Sequence, residues 1–141
     1  MQKTNFENLE IYQLSENLAD EIWNMVLAWN HLSQETVGIQ IIRSADSIGA
    51  NIAEGSGRGS NQDYRRFLRI SRGSLNETRH WLRRAFKRSL LTVKQIETLS
   101  PILEKLTPKL NAYLGKIGTY EAGKTLKKPI NKDQKPKTED L

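Results

Sequence analysis

Arg65, Arg69, Arg72, Arg79, Arg83 and Lys87 recur at intervals of 4, 3, 7, 4 and 4 residues. At about 100° per residue on a helix, these six side chains, with Asn76 filling the gap, share an arc of roughly 80°. The row extends about 33 Å at ~1.5 Å per residue, enough to follow a polyphosphate backbone or to face an acidic protein surface. Arg66, Arg84 and Arg88 widen one flank, and Glu77, the only acid after the first turn, stands away from the centre. Solvated helix faces usually mix signs, because like charges at i,i+4 repel one another. Here no acid offsets the repulsion, and guanidinium groups, which make forked contacts with phosphate or carboxylate, outnumber ammonium groups. Arg65, Arg69, Arg72, Arg79, Arg83, Arg84, Lys87 and Arg88 are therefore the candidate nucleic-acid-binding residues. Six neutralised phosphates predict a salt slope of about −4 to −5.

Other chemistry is thin. The two histidines are His31, near a helix end, and His80, amid arginines; there is no cysteine and no carboxylate pair or His/Asp cluster at metal-ligand spacing. No catalytic residue, metal or cofactor is expected. Trp81 points toward the apolar side and reads as core rather than as a platform for bases. The GSGRG run at 55–59 resembles a phosphate cradle at a helix start, but it follows a helix and lacks the Lys-Ser/Thr pair, so a turn is the better reading.

Four amphipathic segments must position the basic row. Leu14, Leu18, Ile22, Met25 and Trp29 predict a helix over 7–31, and Ile41, Ala45, Ile48 and Ile52 predict one over 35–54. The glycines at 55, 57 and 59 are expected to supply positive φ angles for a reversal. Ser60 and Asp63 form a capping-box-like start to a helix over 61–89, whose seam of Leu68, Ser71, Leu75, Thr78, Leu82 and Ala85 alternates larger and smaller side chains. Thr92 and Gln95 open the last segment, in which Ile96, Leu99, Leu103, Leu106, Leu110, Tyr113 and Ile117 alternate spacings of 3 and 4. Pro101 and Pro108 predict kinks in it, and Gly115 and Gly118 predict its end. Without any period-two segment the class is all-α, and long helices joined by short turns favour an antiparallel up-and-down four-helix bundle.

The 141 residues suit one domain, a bundle over 1–118, followed by a disordered Lys/Pro-rich tail over 119–141. Charge is segregated: residues 1–57 carry two basic and eight acidic side chains, while 58–118 carry fourteen basic and four acidic. Halves of opposite sign attract each other as readily as a third party, so Glu16, Asp20 and Glu21 of the first helix are rival partners for the basic row. The absence of cysteine, of an apolar leader and of a membrane-length apolar run makes a soluble cytoplasmic protein with no membrane partner the expectation.

The runs RSADSIGANIAEGSGR and YRRFLRISRGSLNETRHWLRRA, with the opening FENLEIYQLS, resemble the bacterial family of four-helix-bundle proteins encoded by intervening sequences in 23S rRNA genes. The resemblance covers about 5–118 and is carried by Asn51-Ile-Ala-Glu54-Gly55 with Arg72-Gly73-Ser74-Leu75. It implies assembly as a ring-like homopentamer. It also implies kinship with the accessory variability determinant proteins of diversity-generating retroelements, which are basic and bind nucleic acid and a reverse transcriptase. The chain departs from the family pattern at Gly49 and Ala50, where Pro-Ser is commoner, so the resemblance does not carry a helix kink over to this position. Arg43, Asn51, Glu54 and Arg72 are expected to form a hydrogen-bonded network between the second and third helices or between protomers, not a site. The functional expectation is a non-catalytic, oligomeric accessory protein contacting RNA or DNA phosphates through its third helix. The alternative is an interaction or self-assembly scaffold whose basic face docks an acidic partner or a neighbouring protomer.

Overall fold

Apolar stripes at helical spacing drive four long helices around one core: α1 (Glu10–Leu27), α2 (Ile39–Ser56), α3 (Asn61–Lys87) and α4 (Val93–Thr125). The computed structural model describes residues 5–125, with side-chain surroundings through 118, and every long element among the described residues is helical. Among the described residues close backbone contacts join α1 to α2, α2 to α3, α3 to α4 and α4 to α1, with none across either diagonal. Every residue of the predicted α3 seam is buried, as are Ile41, Ala45, Ile48 and Ile52 of α2.

The helix ends show where local chemistry overrides periodicity. The first helix begins after a 3-10 turn (Phe6–Asn8) and stops at Leu27, short of the expected residue 31. Trp29 continues the apolar spacing but lies past the helix end, where its Nε1 donates to Leu90 O at 3.0 Å. Asn30 Oδ1 accepts from Ser33 N at 2.9 Å and starts a new helical turn (His31–Ser33) before a π-helical turn (Gln34–Gly38) that runs into α2. Gln34 Nε2 donates to Val26 O at 3.1 Å and Leu27 O at 3.2 Å, satisfying carbonyls that the end of α1 exposes. Gly38 permits this corner, because a Cβ there would stand 2.8 Å from Val26 Cγ1.

The two caps expected from sequence are formed. Ser60 Oγ accepts from Asp63 N at 3.1 Å, and Thr92 and Gln95 exchange bonds of 2.9 and 3.1 Å. The expected positive φ angles at 55–59 are not: no described glycine has one, and the left-handed residue is Ser89, φ 60°, which terminates α3. Beside it Leu90 N donates to Ala85 O at 2.8 Å, a helix-closing bond that needs this reversal. Gly55 serves close approach instead, since its Cβ would lie 2.7 Å from Phe67 Cβ.

The final helix runs unbroken through Pro101 and Pro108 and past Gly115 and Gly118 to Thr125. Both prolines lie on the exposed side, as do Glu97 and Glu104, whose carbonyls the prolines deprive of a donor; solvent is available to both. An interior glycine costs only about 1 kcal/mol relative to alanine, too little to end a helix that packs on its neighbours. The first part of the expected tail is thus helical to Thr125, and 126–141 lie outside the described residues.

Candidate nucleic-acid interface

The 27-residue α3 carries the basic row, but the bundle divides it. Arg69, Arg72, Arg83, Lys87 and Arg88 are exposed, whereas Arg65, Arg79 and Arg84 are half-buried. None of the five exposed cations makes an ion pair among the described residues. Arg79 stands at the edge of the row nearest the apolar seam and donates from Nη2 to Thr107 Oγ1 of α4 at 2.6 Å. Arg65 is covered from the far end of α4: its guanidinium lies 3.2 Å from where a Cβ on Gly118 would be. Two of the six members of the row therefore brace α3 against α4. Four remain open.

The acidic half does not neutralise them within the protomer. Glu16, Asp20 and Glu21 stand on α1, diagonally across the bundle from α3. Asp20 instead faces Asp46 of α2; partial burial, reinforced by that like charge, raises the Asp46 carboxyl above its ordinary value. Elsewhere basic and acidic groups do meet: Lys109 Nζ bonds Glu10 at 3.0 Å, Arg58 pairs with Glu54 at 2.9 Å and Arg66 with Asp63 at 3.8 Å. Arg58 and Arg66 also lie over Phe67, at 4.9 and 4.8 Å from its ring centre, so the GSGRG corner is an internally paired turn.

The expected network of Arg43, Asn51, Glu54 and Arg72 does not form within the protomer. Arg43 and Arg72 are exposed, Glu54 pairs with Arg58, and Asn51 bonds back to Ser47 O and Oγ at 2.8 and 2.9 Å. Small hydroxyls tie α2 to α3 instead. Ser71 Oγ donates to Ile48 O at 2.9 Å, Ser74 Oγ to Ser47 Oγ at 2.9 Å and Thr78 Oγ1 to Ser44 Oγ at 2.9 Å. Long charged side chains reach solvent past a tight seam, whereas hydroxyls fit inside it.

On its other flank α3 meets α4 less closely. Tyr64 and Tyr113 join their hydroxyls at 2.8 Å near one end, and burial with that bond raises the Tyr64 pKa. At the other end a groove of about 520 Å³ opens, floored by Leu82, Leu91, Leu99 and Leu103 and edged by Arg83 and Lys87. Phe86 stands on its rim with 55% of its surface exposed. Trp81 is half-buried and packs on the core, as its place on the apolar side predicts, whereas the exposed ring beside the row is Phe86, which the charge pattern does not mark. The available signal was position: Phe86 follows Arg83 by three residues, at the margin of the basic arc.

A family model described as 23S rRNA-intervening sequence protein matches residues 7–112. The chain belongs to that family. Its fold is similar to the crystal structure of a protein of unknown function from the S23 ribosomal protein family of Bacteroides thetaiotaomicron, with 26% identity and a TM-score of 0.66. The match covers 74% of this chain and 97% of that one. No curated protein matches the chain. Among the described residues no helix is long and apolar enough to cross a membrane.

Proposed function

We propose that the chain is a non-catalytic, oligomeric accessory protein that binds RNA or DNA through phosphates, with Arg69, Arg72, Arg83 and Lys87 of α3 as the contacting residues. One observation carries the reading: four cations on one side of a single helix are exposed and make no ion pair among the described residues. Contacts of this kind hold a backbone without reading bases, so sequence preference is weak. Family membership supports an antiparallel up-and-down bundle assembled as a homopentamer in the bacterial cytoplasm, and a ring of such helices multiplies weak contacts by avidity. The reading extends, on the sequence resemblance alone, to a role like that of retroelement accessory proteins, with a reverse transcriptase as a further partner.

The test compares binding to a generic RNA duplex and a generic DNA duplex at two salt concentrations, for the wild type and for Arg69→Glu/Arg72→Glu/Arg83→Glu. Four phosphates per protomer give a DNA salt slope of about −3.6, and the triple reversal is expected to weaken low-salt binding by more than about ten-fold. Light scattering on both proteins reports assembly. Salt-insensitive or absent binding by the wild type sinks the reading. Loss of oligomeric mass in the variant assigns the basic row to assembly, through an acidic surface such as α1 of a neighbour.

A further inference from the structure

We propose that the groove between the C-terminal end of α3 and the start of α4 receives an unpaired nucleobase, so that the protein prefers single-stranded to duplex nucleic acid. This inference rests on the phosphate-binding reading and names its substrate class.

The groove combines the two components that single-strand binding needs, an apolar surface with an exposed aromatic ring and cations beside it. Phe86 supplies the ring, and Leu82, Leu91, Leu99 and Leu103 supply a floor that is at most 9% exposed. Arg83 and Lys87 stand on the same edge as members of the open basic row, where phosphates flanking an inserted base would lie. Ser100 places a hydroxyl in the lining that can meet the polar edge of a base. The volume of about 520 Å³ falls within the range of roughly 300–1,000 Å³ typical of pockets for small organic groups.

The cationic edge and the exposed ring select this occupant. The groove lining stops at Leu82 and Leu103, about one helical turn from the Arg79–Thr107 bond that ties the same two helices. It runs from Leu82 to Lys87 on α3 and from Leu91 to Leu103 beyond that helix, and its charged members, Arg83, Arg84 and Lys87, are all cationic. A flat heteroaromatic ring can lie on the leucine floor beside Phe86, and the anionic strand that carries it suits the cationic edge. Bases in a duplex are paired and stacked, and cannot enter.

The test uses a labelled 20-nucleotide RNA single strand of mixed sequence and the duplex formed with its complement, each measured at the same two salt concentrations. Wild type is compared with Phe86→Ala and Phe86→Tyr, with light scattering and thermal melting on each. Single-strand affinity about ten-fold above duplex affinity is expected, with Phe86→Ala losing about ten-fold on the single strand only and Phe86→Tyr retaining it. Substituting 5-iodouridine through the strand and irradiating is expected to cross-link Phe86. Equal binding of both nucleic acids, unchanged in Phe86→Ala, overturns the inference while leaving phosphate binding in place. No salt-sensitive binding of either overturns both. A fall in oligomeric mass in Phe86→Ala, with both affinities falling together, assigns the groove to a second copy of the chain and overturns the inference as well.

Discussion

The two flanks of α3 solve different problems with one helix. Toward α2 the contact includes Ser44, Ser47, Gly55, Ser71, Ser74 and Thr78, small residues that let the backbones approach; Ser74 and Thr78 then bond the hydroxyls of Ser47 and Ser44, and Ser71 bonds the Ile48 carbonyl. Toward α4 the spacing is wider, bridged by Arg79 to Thr107 and by the Tyr64–Tyr113 pair, and it leaves a groove under Phe86. A close seam leaves no room for a ligand, and a loose one supplies a ligand's floor. The contrast teaches that the basic residues drawn into the wider seam become struts, while those beyond it stay open to a partner.

The largest effect that probes this contrast is loss of buried volume. Ile48→Ala, on the close side, is expected to cost about 4 kcal/mol, near the upper part of the range for such truncations. Leu99→Ala, in the floor of the groove, is expected to cost about 2 kcal/mol, because the vacated space joins one already open. Denaturant unfolding of both variants measures the difference, and equal losses would break the comparison.

A smaller effect comes from adding one methyl group on each flank. In Gly55→Ala the new Cβ would meet Phe67 Cβ, an atom the backbone holds in place, and a net loss of about 1–2 kcal/mol is expected after the gain in helix propensity. In Gly118→Ala the nearest atoms, at 3.2 Å, belong to the movable end of Arg65, so stability is expected to stay level or rise by up to about 1 kcal/mol. Opposite signs in thermal melts sharpen the picture of one rigid and one yielding flank.

The smallest effect lies away from α3 and serves as a reference for both flanks. The Asp46 carboxyl is raised in the folded state by burial and Asp20, so the folded chain holds its proton more tightly than the unfolded chain. Stability from this group is therefore present below the unfolded value, about 3.9, and lost as pH rises through the raised folded value. Asp46→Asn should slightly raise the melting temperature at neutral pH and leave it unchanged near pH 3. A melt at the two pH values checks this, and a loss at neutral pH would contradict it.

Most of the helical layout was legible in sequence because the signals are local. The α3 seam is legible because spacings of 3 and 4 define a buried stripe wherever the helix packs, and the caps at Ser60 and Thr92 each depend on residues three apart. The end of α1 was misplaced because Trp29 continues the apolar spacing while Asn30 and Gln34 stop and cap the helix. The reversal after α3 was missed because Ser89, not a glycine, takes the left-handed conformation. In the site, the identity of the cations was plain but their division was not. Arg79 and Arg65 have the same chemistry as Arg83 and Lys87, and only the path of α4, with Thr107 beside one and Gly118 beside the other, separates them.

By itself, then, the amino-acid sequence determined that this chain forms long amphipathic helices, that one of them bears a row of positive charge interrupted at Asn76, and that its family is that of the 23S rRNA-intervening sequence proteins. Tertiary structure decided which charges stay free, that the acidic α1 stands diagonally across from them, and that a groove opens beside Phe86. The physical reason is range. Periodicity, capping and charge order are set by residues a few positions apart, whereas exposure, pairing and cavities depend on which helices become neighbours in space.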